Sequence, residues 1–192
     1  MSTRYPMRRV LLALVFFASA FVLTSSAWSQ ELADYTLQPG DELEVSVWGE
    51  EELQRLVLLR PDGKFSFPFT NEIVASGRTV SQVQAEMTEK LRAYIPEAVV
   101  TVSVTATEGN RIYVIGQVDT PGSFVMNPRL SVLQALSLAG GLTAFAAVND
   151  IIIIRGLGTN QRLLHFAYNE VSRGRNLEQN IQLESGDVII VP

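Results

Sequence analysis

Two nine-residue stretches near opposite ends of the chain carry the same pattern. Leu37-Gln38-Pro39-Gly40-Asp41-Glu42-Leu43-Glu44-Val45 and Leu183-Glu184-Ser185-Gly186-Asp187-Val188-Ile189-Ile190-Val191 both spell L-x-x-G-D-x-(L/I)-x-V. Each reads as a glycine turn feeding a β-strand, with the aspartate side chain free to bond backbone N–H groups and fix the turn. The echo predicts two units that use the device once each. Two copies do not make a repeat array, so a solenoid is not supported.

The first unit opens on Leu43, Val45 and Val47 alternating with Glu42, Glu44 and Ser46, the pattern of a half-buried strand. Pro61-Asp62-Gly63-Lys64 is turn chemistry between residues 56–59 and the alternating Phe65, Phe67 and Phe69, which predicts a β-hairpin. Pro68 has no N–H to give a ladder and puts that strand's end at a sheet edge. Thr79 and Gln82 form a T-x-x-Q capping box. Val80, Val83, Met87, Leu91 and Tyr94 then make one apolar helix stripe, stopped by Pro96. Val100, Val102 and Val104 alternate as another strand. Residues 35–106 thus read β–β–β–α–β.

A polar break, Thr107-Glu108-Gly109-Asn110, precedes the second unit, residues 111–192. Arg111 to Val118 reads as a strand, Thr120-Pro121-Gly122 as a turn, and Phe124 and Val125 as the start of a return strand. Ser131 and Gln134 make a second capping box. Leu130, Leu133, Leu136 and Ala139 supply a helix face that Gly140-Gly141 terminates. Apolar stretches at residues 151–154, 163–166 and 188–191 complete a β-grasp-like set of strands. The expected fold class is α+β: two small mixed domains, the second β-grasp-like.

Residues 1–29 have the grammar of a secretory signal. Arg4, Arg8 and Arg9 precede an apolar run over residues 10–23, and Ala27-Trp28-Ser29 offers small residues before a cut at Gln30. The run is shorter than the roughly 20 residues of a spanning helix, so cleavage is expected over retention as an anchor, with residues 30–34 a short lead-in. No later stretch is long and apolar enough to span a bilayer as a helix. The expectation is an exported, periplasmic chain with neither a lipid anchor nor a C-terminal membrane helix.

The 192 residues include no cysteine and a single histidine, and the net charge is −5. Absent thiols exclude disulfides, Cys-ligated metals, thiol catalysis and lipoprotein attachment. The acidic balance argues against nucleic acid as a partner. Glu50-Glu51-Glu52 is the densest acidic cluster and reads as a solvated loop after the first strand. His165, lacking a second histidine or a thiol, reads as a surface or satisfied strand residue. Gly156-Leu157-Gly158 reads as a hairpin turn rather than a phosphate loop. Trp48-Gly49 is either a sugar-stacking platform or, the reading favoured by an apolar strand just before it, core. No catalytic residue, cofactor site or metal site is expected.

The ordered motifs resemble a known family. Tyr35-Thr36-Leu37-Gln38-Pro39-Gly40-Asp41, then Trp48, Arg60-Pro61-Asp62-Gly63-Lys64, Phe67-Pro68-Phe69 and Gly77-Arg78-Thr79 are similar to the polysaccharide biosynthesis/export domain. Val114-Ile115-Gly116-Gln117-Val118, Pro121-Gly122, Ala139-Gly140-Gly141-Leu142 and the closing stretch with Gly186-Asp187 are similar to a soluble-ligand-binding β-grasp (SLBB) domain. Together they resemble the outer-membrane polysaccharide export, or Wza-like, family. The resemblance implies a homo-oligomeric ring passing a capsular polysaccharide or exopolysaccharide, docked on an inner-membrane copolymerase, with an outer-membrane β-barrel as a further partner. Larger members carry more β-grasp repeats, a membrane helix and often a lipid, and Asn71 stands where they usually have glycine. Two alternatives stay open. One is a monomeric oligosaccharide-binding module with its pocket near Gly116, Gly122 and Gly141. The other is a hydrolase using Glu50, Glu51 and Glu52, whose replacement by glutamine would then abolish activity in a folded, assembled protein.

Overall fold

The structure, a computed structural model, describes residues 34–156 and 158–192. The expected signal sequence lies outside the described residues.

The first lobe is built on a three-stranded sheet. Strand β1 (Glu42–Val47) is central, flanked by β2 (Glu50–Leu58) and β5 (Val100–Ala106), both antiparallel to it. Leu43, Val45 and Val47 are buried, as alternation requires, and meet Val104, Val102 and Val100 across the ladder. Helix α1 (Val80–Leu91) covers this face. Its capping box is formed: the Gln82 N–H donates to Thr79 Oγ1 at 3.3 Å, and the Thr79 N–H to Gln82 Oε1 at 3.0 Å. Such a cap contributes about 1 kcal/mol. Val83, Met87 and Leu91 are buried beneath the helix, each contributing about 2 kcal/mol by leaving water. The helix ends at Leu91, three residues before Tyr94, the last member of the expected stripe, which is exposed.

The expected hairpin across Pro61 is not formed. A tight turn is present, with the Gly63 N–H on Arg60 O at 2.8 Å. The chains then diverge: β2 pairs with β1, whereas β3 (Lys64–Phe67) pairs with a further strand, β4 (Asn71–Val74). The order is therefore β–β–β–β–α–β. Phe65 and Phe67 are buried, but the alternation stops there. Phe69 is turned out with φ +64° and rests against Tyr94, ring centroids 5.2 Å apart. Pro68 lies in the same β3–β4 turn, beyond the end of β3. Asn71 takes φ +59°, a conformation that asparagine tolerates.

The second lobe is a five-stranded mixed sheet, ordered β7 (Gly122–Val125), β6 (Arg111–Gly116), β10 (Val188–Val191), β8 (Ile151–Arg155), β9 (Arg162–Phe166). Only β6 and β10 run parallel; the other neighbours are antiparallel. Helix α2 (Val132–Leu138) brings Val132, Ala135 and Leu136 to a core with Ile112, Val114, Ile151, Ile153, Ile189 and Val191. Gln134 Oε1 accepts the Ser131 N–H at 2.8 Å, and Gly140 and Gly141, both at positive φ, end the helix. A short helix, α3 (Tyr168–Ser172), buries Val171 and was not anticipated. The two lobes have separate cores, a mixed α+β architecture as the sequence suggested.

Candidate functional site

The two echoed turns have one geometry. In the first, the Gln38 N–H donates to Asp41 Oδ2 at 2.8 Å and the Asp41 N–H to Gln38 O at 3.1 Å. In the second, the Glu184 N–H donates to Asp187 Oδ2 at 2.9 Å and the Asp187 N–H to Glu184 O at 3.1 Å. Both carboxylates are buried, at 0% and 1% exposure, so each needs further donors. They find different ones. Asp41 accepts the Tyr35 hydroxyl at 2.5 Å and the Gly109 N–H at 3.1 Å. Asp187 takes the Arg155 guanidinium on both oxygens, at 3.0 Å from Nε and 2.7 Å from Nη2. Burial, with help from the Asp41 contact, pushes the Tyr35 phenol well above its ordinary range, and the bond to Asp187 raises Arg155.

These turns meet at the junction of the lobes. Gly109, from the polar break, gives its N–H to Asp41, while its carbonyl accepts the Ser185 hydroxyl at 3.0 Å. Asn110 is buried, its amide donating to Met126 O. Residues 107–110 are thus a clamped joint. Beside them lies a groove of about 410 Å³ whose lining includes Tyr35, Gln38, Arg129, Gln182 and Glu184.

The other motif residues are distributed as turns. Gly40 (φ +97°) sits behind Pro39 and gives its N–H to Leu59 O; Gly186 (φ +89°) gives its own to Arg111 O. Asp62 receives Arg60 and the Lys64 N–H at the Pro61 turn, where Gly63 lies against Ser76. The Arg60 contact holds the Asp62 carboxyl below its usual range. Gly116 ends β6 so close to β10 that an added Cβ would lie 1.9 Å from Val191 O. Pro121 and Gly122 lead into β7. Gly116, Gly122 and Gly141 line neither the groove beside the joint nor the one at the β1–β2 hairpin.

Two expectations about chemistry-bearing residues are corrected. Glu50, Glu51 and Glu52 are not loop residues. They begin β2, exposed, on an edge of the first sheet. Trp48 is not core: it is 85% exposed at the tip of the β1–β2 hairpin. The signal was present in the parity of β1, because inward side chains at 43, 45 and 47 put 48 on the other side. Trp48 and Glu51 line a second groove, of about 240 Å³, reached by Val99 and Thr101 from β5 and its approach. His165 is exposed on the edge strand β9. Among the described residues, no three Asp, Glu or His side chains gather where they could hold a metal, and no helix is long and apolar enough to cross a membrane.

The outer face of the second sheet was also missed. Its register aligns Tyr113, Val188, Ile154 and Leu163 in one row and Ile115, Ile190, Ile152 and His165 in the next. Tyr113, Ile115 and Leu163 are exposed and the central residues half-buried. Runs apolar on both faces could have revealed it, since such strands want cover on both sides.

Each lobe matches a family model. Residues 29–105 match the model of the polysaccharide biosynthesis/export protein family, and residues 110–191 match that of the SLBB domain. Exopolysaccharide production protein ExoF of Rhizobium meliloti (strain 1021) is 38% identical over 87 residues, 43% of this chain and 20% of that protein. EPS I polysaccharide export outer membrane protein EpsA of Ralstonia solanacearum is 34% identical over 96 residues, 49% of this chain and 26% of that protein. Polysialic acid transport protein KpsD of Escherichia coli is 28% identical over 197 aligned positions, covering 99% of this chain and 34% of that protein. The chain therefore spans between a fifth and about a third of the length of these relatives. Together the two models cover nearly all of residues 29–191, and the chain belongs to the polysaccharide biosynthesis/export protein family, with an SLBB domain after its export domain.

Proposed function

We propose that the protein is a structural subunit of a polysaccharide export conduit. Copies of the chain assemble into a ring in the periplasm, a capsular polysaccharide or exopolysaccharide passes through the lumen, and the ring works between an inner-membrane copolymerase and an outer-membrane barrel. Residues 35–106 and 111–192 are its two working domains, and the glycine and aspartate motifs hold the turns that shape them.

The outer face of the five-stranded sheet is the observation that carries this reading. Its two rows, apolar but for His165 at the edge, are worth covering: each half-exposed Ile or Leu that leaves water contributes about 1–2 kcal/mol, and contiguous apolar patches mark interaction surfaces. A second copy is the partner most available to a chain that must build a passage, and head-to-tail contacts close into rings when the rotation fits. Transport by passage needs no reacting group, which suits a site made of turns, amides and exposed rings.

The test joins assembly to export. Light scattering on the exported protein should give a mass of several subunits, and Ile154→Lys with Ile190→Lys, placed on both rows, should give folded monomers. In a strain lacking the gene, the wild-type chain should restore polymer outside the cell and the monomeric variant should not. A wild-type chain that stays single at high concentration, or a variant that exports normally as a monomer, would end the proposal.

A further inference from the structure

Trp48 gives the hairpin between β1 and β2 a tip unlike an ordinary turn. Its backbone is fixed, the N–H donating to Val99 O at 2.9 Å, and Gly49 follows at φ +81° with open space where a side chain would be. The indole is thus presented from a rigid base but left in water. Beside the exposed Val99, its surroundings are polar: Ser46 and Thr101 bring hydroxyls, Glu50 and Glu51 carboxylates, and Gln54 an amide whose nitrogen is already held by Glu44 at 2.8 Å, leaving its oxygen to accept. An apolar partner side chain would cover the ring and strip water from these groups without replacing their hydrogen bonds. A sugar ring satisfies both, with C–H bonds for the aromatic face and hydroxyls for the rim.

We propose that Trp48 and its groove are a subsite for a neutral pyranose of the exported polymer. The indole stacks on the C–H face of one sugar, Gln54 Oε1 and the carboxylates accept its hydroxyls, and the hydroxyls of Ser46 and Thr101 complete the rim. Glu50 and Glu51 set the charge preference: a uronate or sialate brought to the same place faces two carboxylates at close range. A single stacked ring in an open groove binds weakly, in the millimolar range, as a chain that must move on requires. The source of the sugar rests on the export reading; the stacking contact and its charge selectivity are additional to it.

Two tryptophans occur in the sequence, Trp28 and Trp48, so Trp28→Phe in the full chain leaves Trp48 the sole indole. Cellohexaose should shift or quench its emission saturably at millimolar concentration, and hexagalacturonate should bind roughly tenfold more weakly. Glu50→Gln with Glu51→Gln should narrow that difference. Trp48→Ala, shown to be folded by circular dichroism, should lose cellohexaose binding by calorimetry, by roughly tenfold or more. An emission that does not respond to cellohexaose, that follows protein concentration instead, or that responds equally to hexagalacturonate overturns the proposal, as does a Trp48→Ala chain that binds as before. The two readings fail separately. Export lost on gene deletion, with an unresponsive Trp48, sinks the subsite alone; a responsive Trp48 with export intact after deletion sinks the conduit.

Discussion

The carboxylate of Asp41 and the backbone N–H of Gly109 are joined at 3.1 Å, tying the first strand's entry turn to the joint between the lobes. Gly109 is compressed there, since an added Cβ would lie 2.2 Å from Pro39 O. The same carboxylate holds Tyr35 and its own turn. Asp41→Ala leaves three donors without their acceptor in a buried site and should lower unfolding free energy by about 3 kcal/mol or more. Asp62→Ala, at the exposed Pro61 turn, should change it little. Urea unfolding followed by far-ultraviolet circular dichroism compares the two. Equal effects would mean that Asp41 has no special part in the joint.

Tyr35 adds a pH dependence. Burial and the adjacent Asp41 both oppose the phenolate, so the folded state keeps this proton at a pH where the unfolded chain, with an ordinary value near 10, releases it. The folded state then binds more protons, and stability falls as pH rises. The contribution is complete below pH 10 and is lost progressively above it. Tyr35→Phe should cost about 1 kcal/mol at neutral pH, through the lost hydrogen bond, and should flatten the alkaline fall. Urea midpoints measured across the alkaline range check both signs.

Much of this architecture was legible wherever one face of an element is buried. Leu43, Val45 and Val47 disclosed β1, and Thr79 with Gln82 placed the start of α1 where it occurs. Strand β4 was illegible because Ile73 is its one buried residue, too little for a period to register. The hairpin over Pro61 misled because turn residues fix a reversal but not which strands pair after it. Trp48 was misjudged by residue type when strand parity gave the better answer. The joint at Gly109 could not be read at all, since its contacts, to Asp41 and Ser185, lie 68 and 76 residues away in sequence.

Arg155 and Asp187 form the second lobe's counterpart to Tyr35 and Asp41, but with a full charge pair. The guanidinium also reaches Glu184 at 2.6 Å and Gln182 O at 2.9 Å, so one side chain gathers the segment before β10. Arg155→Met would leave the Asp187 carboxylate, 1% exposed, without its counter-charge. The expected loss is about 3–5 kcal/mol. Arg155→Lys should recover part of this at most, because an ammonium cannot reproduce the fork on both carboxylate oxygens. Thermal and urea unfolding of the two variants decide it; a lysine variant equal to wild type would reduce the pair to simple charge balance.

The motif glycines of the second lobe separate into two kinds, which substitution distinguishes. Gly116 has φ +95° and no room, because Val191 O occupies the place of a side chain where β6 and β10 run parallel. Gly116→Ala must strain the backbone and push the central strand pair apart, and should cost more than about 3 kcal/mol. Gly122 has neither constraint: its φ is not positive and nothing lies within 4 Å of the added atom. Gly122→Ala should therefore stay within about 0.5 kcal/mol of wild type in unfolding. That open space belongs to a single chain, however, and a ring would bring other copies to it. If Gly122→Ala folds normally yet fails to assemble by light scattering, β7 carries a subunit contact and its glycine is needed for close approach between copies. If it folds and assembles normally, the Pro121-Gly122 pair only shapes the turn into β7.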